Sequence, residues 1–569
     1  MKSETRNTSA GSVQACRNCT KKFVIDEDNI NFCEKVKVPL PTWCPECRMM
    51  RRLAWMGTRI LYKRKLDGEE VITFYPPDTP FKLYKQDYWW SDKWDPKSYG
   101  RDYDFSKSFF EQFYGLFKAV PHPVLFTSYA TMKDSPYCNA ASDLKNCYLA
   151  FKSDSSENCA YTTVMSRMKD CLDLAFSNDS ELCYEIVTVN KGYQVFYSQD
   201  SDDCHDVWFS RDLVGCSDCV GCINLRNKQY YIFNQPYSRE EYKRKLVEFD
   251  FGSAKNVQEF KKKAEEFFLS QPRKQFHGRK NSDVSGDYIF NSKNVHDSYM
   301  MRNCENIKYS QFLKTGPVKD AYDYTQFGVK AELMYDTTWI GLDCYNVKFG
   351  VWNYTVHDLE YSFGCHGSGN LFGCVGVRSS EYCVLNKQYS KIEYQDLVAR
   401  IKKQMLEVPY RDRLGREYRY GEHLPVDFCP WAYSETMVYE FFPITKVEAI
   451  KKGYQWRDPD QREYGPATVS VPDNIKEASD EILKGVLKCE DCGRNYQLIK
   501  MELQFLRRFV LPVPRRCPLC RERSRIKQLN PLTTYSRKCA KCGKDIQASY
   551  APERPEIVYC EECYNVAVA

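Results

Sequence analysis

A chain of 569 residues with 43% hydrophobic and 28% charged residues has material for several cores, and no low-complexity tract marks it as extensively disordered. No run approaches the length of a membrane span and no apolar signal segment follows Met1, so a cytoplasmic protein without membrane contact is expected. There, 28 cysteines read as thiols and metal ligands more readily than as disulfides, and a net charge of +6 matters through where it is placed.

Residues 1–12 are polar and read as a disordered tail. The segment 13–60 reads as a zinc ribbon, because Cys16, Cys19, Cys44 and Cys47 form two Cys-x-x-Cys pairs twenty-four residues apart. Four soft thiolates at that spacing converge on one Zn²⁺. Shifted by 473 positions, the same ribbon recurs at 481–530 as Cys489, Cys492, Cys517 and Cys520, with Phe23 over Tyr496, Ile25 over Leu498, Pro39 over Pro512 and Pro41 over Pro514. A third ribbon, 531–569, carries Cys539, Cys542, Cys560 and Cys563. Its N-terminal counterpart, the lobe 61–100, holds Leu66, Glu69, Lys85 and Tyr88 at the corresponding places and is expected to bind no metal. The N-terminal copy keeps only the first four cysteines as a complete set, so the eight C-terminal cysteines divide sequentially between two ions. Three structural zinc ions per chain follow. Cys33 lies over Leu506 and reads as a small buried hydrophobe.

In the connector 101–135, Phe109, Phe110, Phe113, Leu116 and Phe117 recur at helical spacing before Pro121, which predicts an amphipathic helix. From 136 to 237 the texture becomes a repeat: Cys147, Cys159, Cys171, Cys183, Val195, Val207, Cys219 and Tyr231 follow at intervals of twelve. Short apolar runs alternating with Ser/Asp/Asn turns predict a parallel β-solenoid with one or two units per coil. The cysteines then form an internal ladder of small side chains and not a metal site. A second solenoid, 284–389, keeps the phase at Val347, Leu359, Leu371 and Cys383, and an offset of 152 superposes the two exits, Tyr231–Tyr242 on Cys383–Tyr394. Each exit carries Ser-x-x-Glu, a capping box, at Ser238 and Ser390. Capping and bridging helices fill 238–283, and a capping helix with an aromatic connector fills 390–480. The fold class is thus mainly β: two repeat-built solenoids with capping helices, flanked by zinc ribbons.

The order of ribbon, Trp-Trp-Ser-Asp-Lys-Trp-Asp-Pro at 89–96, Tyr-Gly-Arg-Asp-Tyr-Asp-Phe at 99–105, Cys-rich repeats, Asn-Lys-Gln-Tyr-Ser at 386–390 and Gln-Trp-Arg-Asp-Pro-Asp at 455–460 resembles a large uncharacterised family of zinc-ribbon proteins from reduced-genome candidate-phylum bacteria. The resemblance spans nearly the whole chain. It implies an architecture and no activity.

Function is therefore sought in surfaces. Residues 48–65 hold Arg48, Arg51, Arg52, Arg59, Lys63, Arg64 and Lys65 without an acid, interleaved with Trp55 and Tyr62. The second copy holds Arg521, Arg523, Arg525, Arg537 and Lys538, and four cations coincide: Arg48 with Arg521, Arg52 with Arg525, Arg64 with Arg537, Lys65 with Lys538. Guanidinium groups beside aromatic rings on a metal-pinned loop suit phosphate contact and base stacking, with RNA favoured over DNA. On this reading Arg48, Arg52, Arg521 and Arg525 tolerate reversal to Glu, since they lie outside the ligand sets. Two alternatives stand beside it. The arginines could pair with acidic solenoid turns around Asp200, Asp202 and Asp203, leaving a protein-interaction scaffold. The solenoids could instead carry paired carboxylates of a carbohydrate-active enzyme. No small-molecule substrate is implied, and of seven histidines, His205, His296, His357 and His366 sit in repeat turns without a partner at ligand spacing.

Overall fold

The computed structural model describes residues 11–459 and 462–568; residues 1–10 of the expected tail 1–12 lie outside them, and Ser12 already belongs to the strand Ser12–Ala15. The chain divides into two compact units, each assembled from two separate segments. The first comprises Met1–Val124 and Gly278–Asp458, and the second Leu125–His277 and Pro459–Ala569. Each unit thereby joins a terminal ribbon to the repeat array more distant from it in sequence.

In the second unit the array is a ten-stranded sheet running from Asn139–Lys145 to Gln235–Pro236, parallel except at its last pair. Pairing joins residues twelve apart, as in Leu172 with Tyr184 and Val207 with Cys219. Isolated bridges carry the same offset through the turns, as in Lys169 with Glu181 and Asn190 with Asp202. From Ala140 to Asp212 every third residue has positive φ, so each twelve-residue repeat contains four left-handed corners. Asp and Asn tolerate that conformation best, which explains Asn146, Asn158 and Asp170 ahead of periodic cysteines and Asp206 ahead of Val207. Leu149, Tyr161, Val164 and Phe176 adopt it too, against their own preference.

Every third residue points inward, and Cys147, Cys159, Cys171 and Cys183 stack there as expected, at most 2% exposed. Inward serines satisfy themselves: Ser180 Oγ donates to the Asn178 carbonyl at 2.9 Å and accepts the Gly192 N–H at 2.9 Å, one repeat on. A small polar side chain can thus occupy the core without leaving an unmade bond.

The array of the first unit runs from Gly278–Arg279 to Lys387–Gln388. Its spacing is less regular. Cys304 pairs with Val318, fourteen on, Met334 with Val347, thirteen on, and Leu359 with Leu371, twelve on. Both exits match. Asn234 and Asn386 each accept an N–H from the turn above through Oδ1, at 2.9 and 2.7 Å, and helices Arg239–Glu248 and Lys391–Glu407 start at complete capping boxes. Tyr242 packs on Tyr230 and Tyr394 on Tyr382, with ring centroids 5.7 and 5.8 Å apart. The aromatic helix is Phe109–Ala119, with Phe113, Leu116 and Phe117 fully buried, and the bridging helix is Ala254–Leu269.

Candidate metal centres

Three tetrathiol groups come together, Cys16/Cys19/Cys44/Cys47, Cys489/Cys492/Cys517/Cys520 and Cys539/Cys542/Cys560/Cys563, each with its four sulfur atoms within 4.8 Å of one another. Local structure makes them alike. The first pair of each sits in a knuckle: the residue after the second cysteine, Thr20, Gly493 or Gly543, takes positive φ and returns its N–H to the carbonyl of the first cysteine at 2.9–3.0 Å. Glycine adopts this turn without cost, whereas Thr20 holds it as a β-branched residue. In the two ribbons at Cys44 and Cys517 the second pair opens a helix, Pro45–Ala54 or Pro518–Ile526, whose first position is proline, preset for helical φ.

Sulfur separations test the fit of an ion. The pairs Cys19–Cys44, Cys492–Cys517 and Cys542–Cys560 lie at 3.8, 3.7 and 3.9 Å. A disulfide requires about 2.05 Å, while a tetrahedral tetrathiolate with metal–sulfur bonds of about 2.3 Å has edges of about 3.8 Å. The residues fit an ion. Backbone N–H groups of Cys44 and Cys560 also point at the sulfurs of Cys16 and Cys539, at 3.1 and 3.2 Å, as thiolate stabilisation demands.

In the N-terminal lobe, Lys85 stands at the place of Cys560, but strand pairing of Glu69 with Leu66 sets Glu69 at the place of Lys544 and not of Cys542; the Glu69 and Lys85 side chains form an ion pair. The knuckle there is reduced to the two-residue turn Asp67-Gly68, both with positive φ, linking strands Tyr62–Leu66 and Glu69–Thr73. That deletion accounts for the change of sequence offset from 473 to 475 between the two copies.

The basic clusters are not surfaces. Arg48, Arg51, Arg52, Arg521 and Arg525 are at most 3% exposed and Trp55 is fully buried. In the first unit Arg48 Nε and Arg52 Nη1 reach Asp323 at 2.9 and 2.8 Å, and Arg51 reaches Asp336 and Glu422 at 2.5 and 3.3 Å. In the second, Arg521 reaches Asp173 and Glu502 at 2.5 and 2.8 Å, and Arg525 reaches Asp173 at 2.6 Å. The two devices share a common part, although Arg51 and Glu502 have Ser524 and Asn29 at their places in the other copy. Arg52 and Arg525 each donate to a tyrosine carbonyl, Tyr309 at 2.9 Å and Tyr161 at 3.1 Å, while Arg48 and Arg521 lie over those same rings at 5.2 and 4.6 Å.

The remaining expected contacts, Lys65 apart, are half-buried or tied. Arg59 pairs with Glu440, Tyr62 donates to Glu435, Arg64 donates to Thr79 and Arg537 to backbone carbonyls of Tyr550, Ala551 and Glu556. Arg523 is half-buried; Lys65 and Lys538 are exposed, the latter paired with Asp545 at 3.0 Å. An accessible guanidinium face is thus corrected to an internal one, and the acids that meet it are Asp173, Glu502, Asp323, Asp336 and Glu422, not the group around Asp200.

Three repeat-turn histidines do have partners that spacing alone missed. His205 Nδ1 lies 3.3 Å from Asp206, His296 Nε2 lies 3.5 Å from Asp283, and His357 Nδ1 lies 3.1 Å from Asp358 with Nε2 3.8 Å from Glu381, two repeats on. Burial, by contrast, pushes His122 and His423 down to about 4. Cys33 is buried with its thiol 3.9 Å from the Tyr335 hydroxyl, and burial pushes it up to about 12, so it stays protonated. No helix among the described residues is long and apolar enough to cross a membrane. No protein-family model matches this chain, and no curated protein matches it.

Proposed function

We propose that the protein is a non-catalytic binding scaffold in which two β-solenoids of twelve-residue coils are each braced by a zinc-pinned ribbon, with a third zinc in the C-terminal lobe. Membership in the zinc-ribbon family it resembles is part of this proposal. All-thiolate tetrahedral donors favour Zn²⁺ over the oxygen-seeking cations, and a closed four-cysteine set marks a structural ion. The single observation that carries the scaffold reading is the inward turn of the ribbon arginines onto array carboxylates. Cations neutralised inside the molecule do not release counterions from a phosphate backbone, so they supply none of the affinity expected of a nucleic-acid interface. What they supply is attachment of the ribbon to the flank of the array.

The test is metal analysis of the purified protein joined to a salt series with single-stranded RNA. Three zinc ions per chain are expected, with no salt-dependent RNA binding. Binding whose log–log slope with salt reaches about −0.7 per contact overturns the scaffold reading in favour of the nucleic-acid one.

A further inference from the structure

Because the chain carries two copies of one array, it shows which positions each copy kept. Along one exposed face of the first array run Lys145, Glu157, Lys169, Glu181, Tyr193 and His205, each bridged to the next across a twelve-residue repeat. Along the second run Lys293, Glu305, Lys319, Glu332, Tyr345 and His357, again in unbroken register. All six residues are identical in type, although three longer repeats intervene. Two positions on, the inward column reads Cys147, Cys159, Cys171, Cys183, Val195, Val207 against Val295, Ile307, Ala321, Met334, Val347, Leu359. Only Val195 and Val347 agree.

Packing normally constrains a core more tightly than a surface, so the reversal here needs a cause outside the array. Lys–Glu contacts within each ladder, such as Lys145 to Glu157 at 2.5 Å and Lys319 to Glu305 at 3.3 Å, do not supply it. Exchanging every Lys and Glu would satisfy them equally well. Nor do they explain Tyr193 and Tyr345, which are 44% and 47% exposed at matching places. Between ladder and core, the corner column Asn146, Asn158, Asp170 is kept as Asn294, Asn306, Asp320, but it has a local reason in its left-handed backbone. Retention fades in the last two repeats, where Ser217 and Gln229 face Gly369 and Glu381. The kept face is therefore bounded.

We infer that the Lys-Glu-Lys-Glu-Tyr-His ladder is a self-recognition face whose partner is the same face on a second copy of this chain. Successive rungs are about 4.8 Å apart, the spacing of adjacent strands. A partner that meets the four charged rungs must repeat their charges at that pitch in the opposite order. The ladder itself does so when turned about a two-fold axis between the second and third rungs. Lys145 then stands opposite the second copy's Glu181, and Glu157 opposite its Lys169, as an isologous contact requires. Either ladder of one chain complements either ladder of another, so two faces per chain add avidity to a contact made of individually weak exposed pairs.

This deepens the scaffold reading and rests on it. The test is sedimentation velocity of the full chain at low and high salt. Reversible association is expected at low salt, with dissociation as screening rises. Lys145, Lys169, Lys293 and Lys319 changed to Glu make both ladders wholly acidic, and Glu157, Glu181, Glu305 and Glu332 changed to Lys make both wholly basic. Each variant alone should associate at least about tenfold more weakly, and an equimolar mixture should recover the wild-type assembly, which loss of folding cannot imitate. A wild type that stays monomeric at low salt, or folded variants that fail to recover on mixing, overturns the inference. If the same low-salt samples also ignore RNA, the scaffold reading stands and only its partner falls; salt-sensitive RNA binding removes both.

Discussion

Arg51 and Asp336 show why a cluster of cations without a neighbouring acid in sequence is a poor guide to a surface. Arg48, Arg51 and Arg52 share the ribbon helix with no nearby acid but Glu46, and the carboxylates that meet them lie far along the chain, 271 residues away for Arg52 and Asp323. Burial pushes the Asp336 carboxyl up, but Arg51, His423, Arg52 and Arg48 outweigh it and hold the group below the ordinary carboxylate range. A carboxyl depressed on folding contributes stability above its unfolded value, near 3.9, and loses that contribution as pH falls through the folded value. Ribbon attachment in the first unit should therefore weaken below about pH 4, and Asp336→Asn should abolish that acid dependence while lowering stability at neutral pH. Hydrogen exchange across the helix Pro45–Ala54 as pH is lowered checks this. Protection that is unchanged down to pH 2 contradicts it.

The repeat element was legible where its period was strict and obscured where it was not. Cys147, Cys159, Cys171 and Cys183 mark a twelve-residue phase on their own, because a sulfur fills the same inward place in four successive turns. In the second array the step from Cys304 to Val318 takes fourteen residues, so the phase at Val347 does not extend backwards and only the exits superpose at a fixed offset. The three four-cysteine groups were legible for a similar reason, since knuckle spacing is local. Their docking was not, since it depends on left-handed corners that bring Tyr161 and Asp173 to one flank. The inward column yields a direct expectation. Cys171 is fully buried and its sulfur accepts only a weak bond, from the Cys183 N–H at 3.3 Å. Cys171→Val should cost less than about 1.5 kcal/mol, whereas Cys171→Asp should cost several kcal/mol by burying an unpaired charge. Denaturant unfolding separates the two, and equal costs would mean the column is not a packed core.

For the molecule, the consequence is a chain that enters each of two units twice, each unit pairing a terminal ribbon with the array carried by a distant segment. The N-terminal lobe shows one copy with a shortened knuckle and a Glu69–Lys85 ion pair where the other has four cysteines, while both copies retain the two-arginine, one-aspartate, one-tyrosine attachment. The arginines fix each ribbon to its array, and under the proposed reading a metal ion would pin the ribbon's own four cysteines. On this account Arg521 and Asp173, 348 residues apart, hold the second unit together. A double-mutant cycle on the pair Arg521→Met and Asp173→Asn, read by equilibrium unfolding of that unit, tests the central claim most directly. Each single change should cost about 3–5 kcal/mol because it strands a buried charge, and the double change should cost far less than their sum, a coupling of about 2–3 kcal/mol. Additive effects of less than about 1 kcal/mol each would place these arginines in solvent and contradict the account.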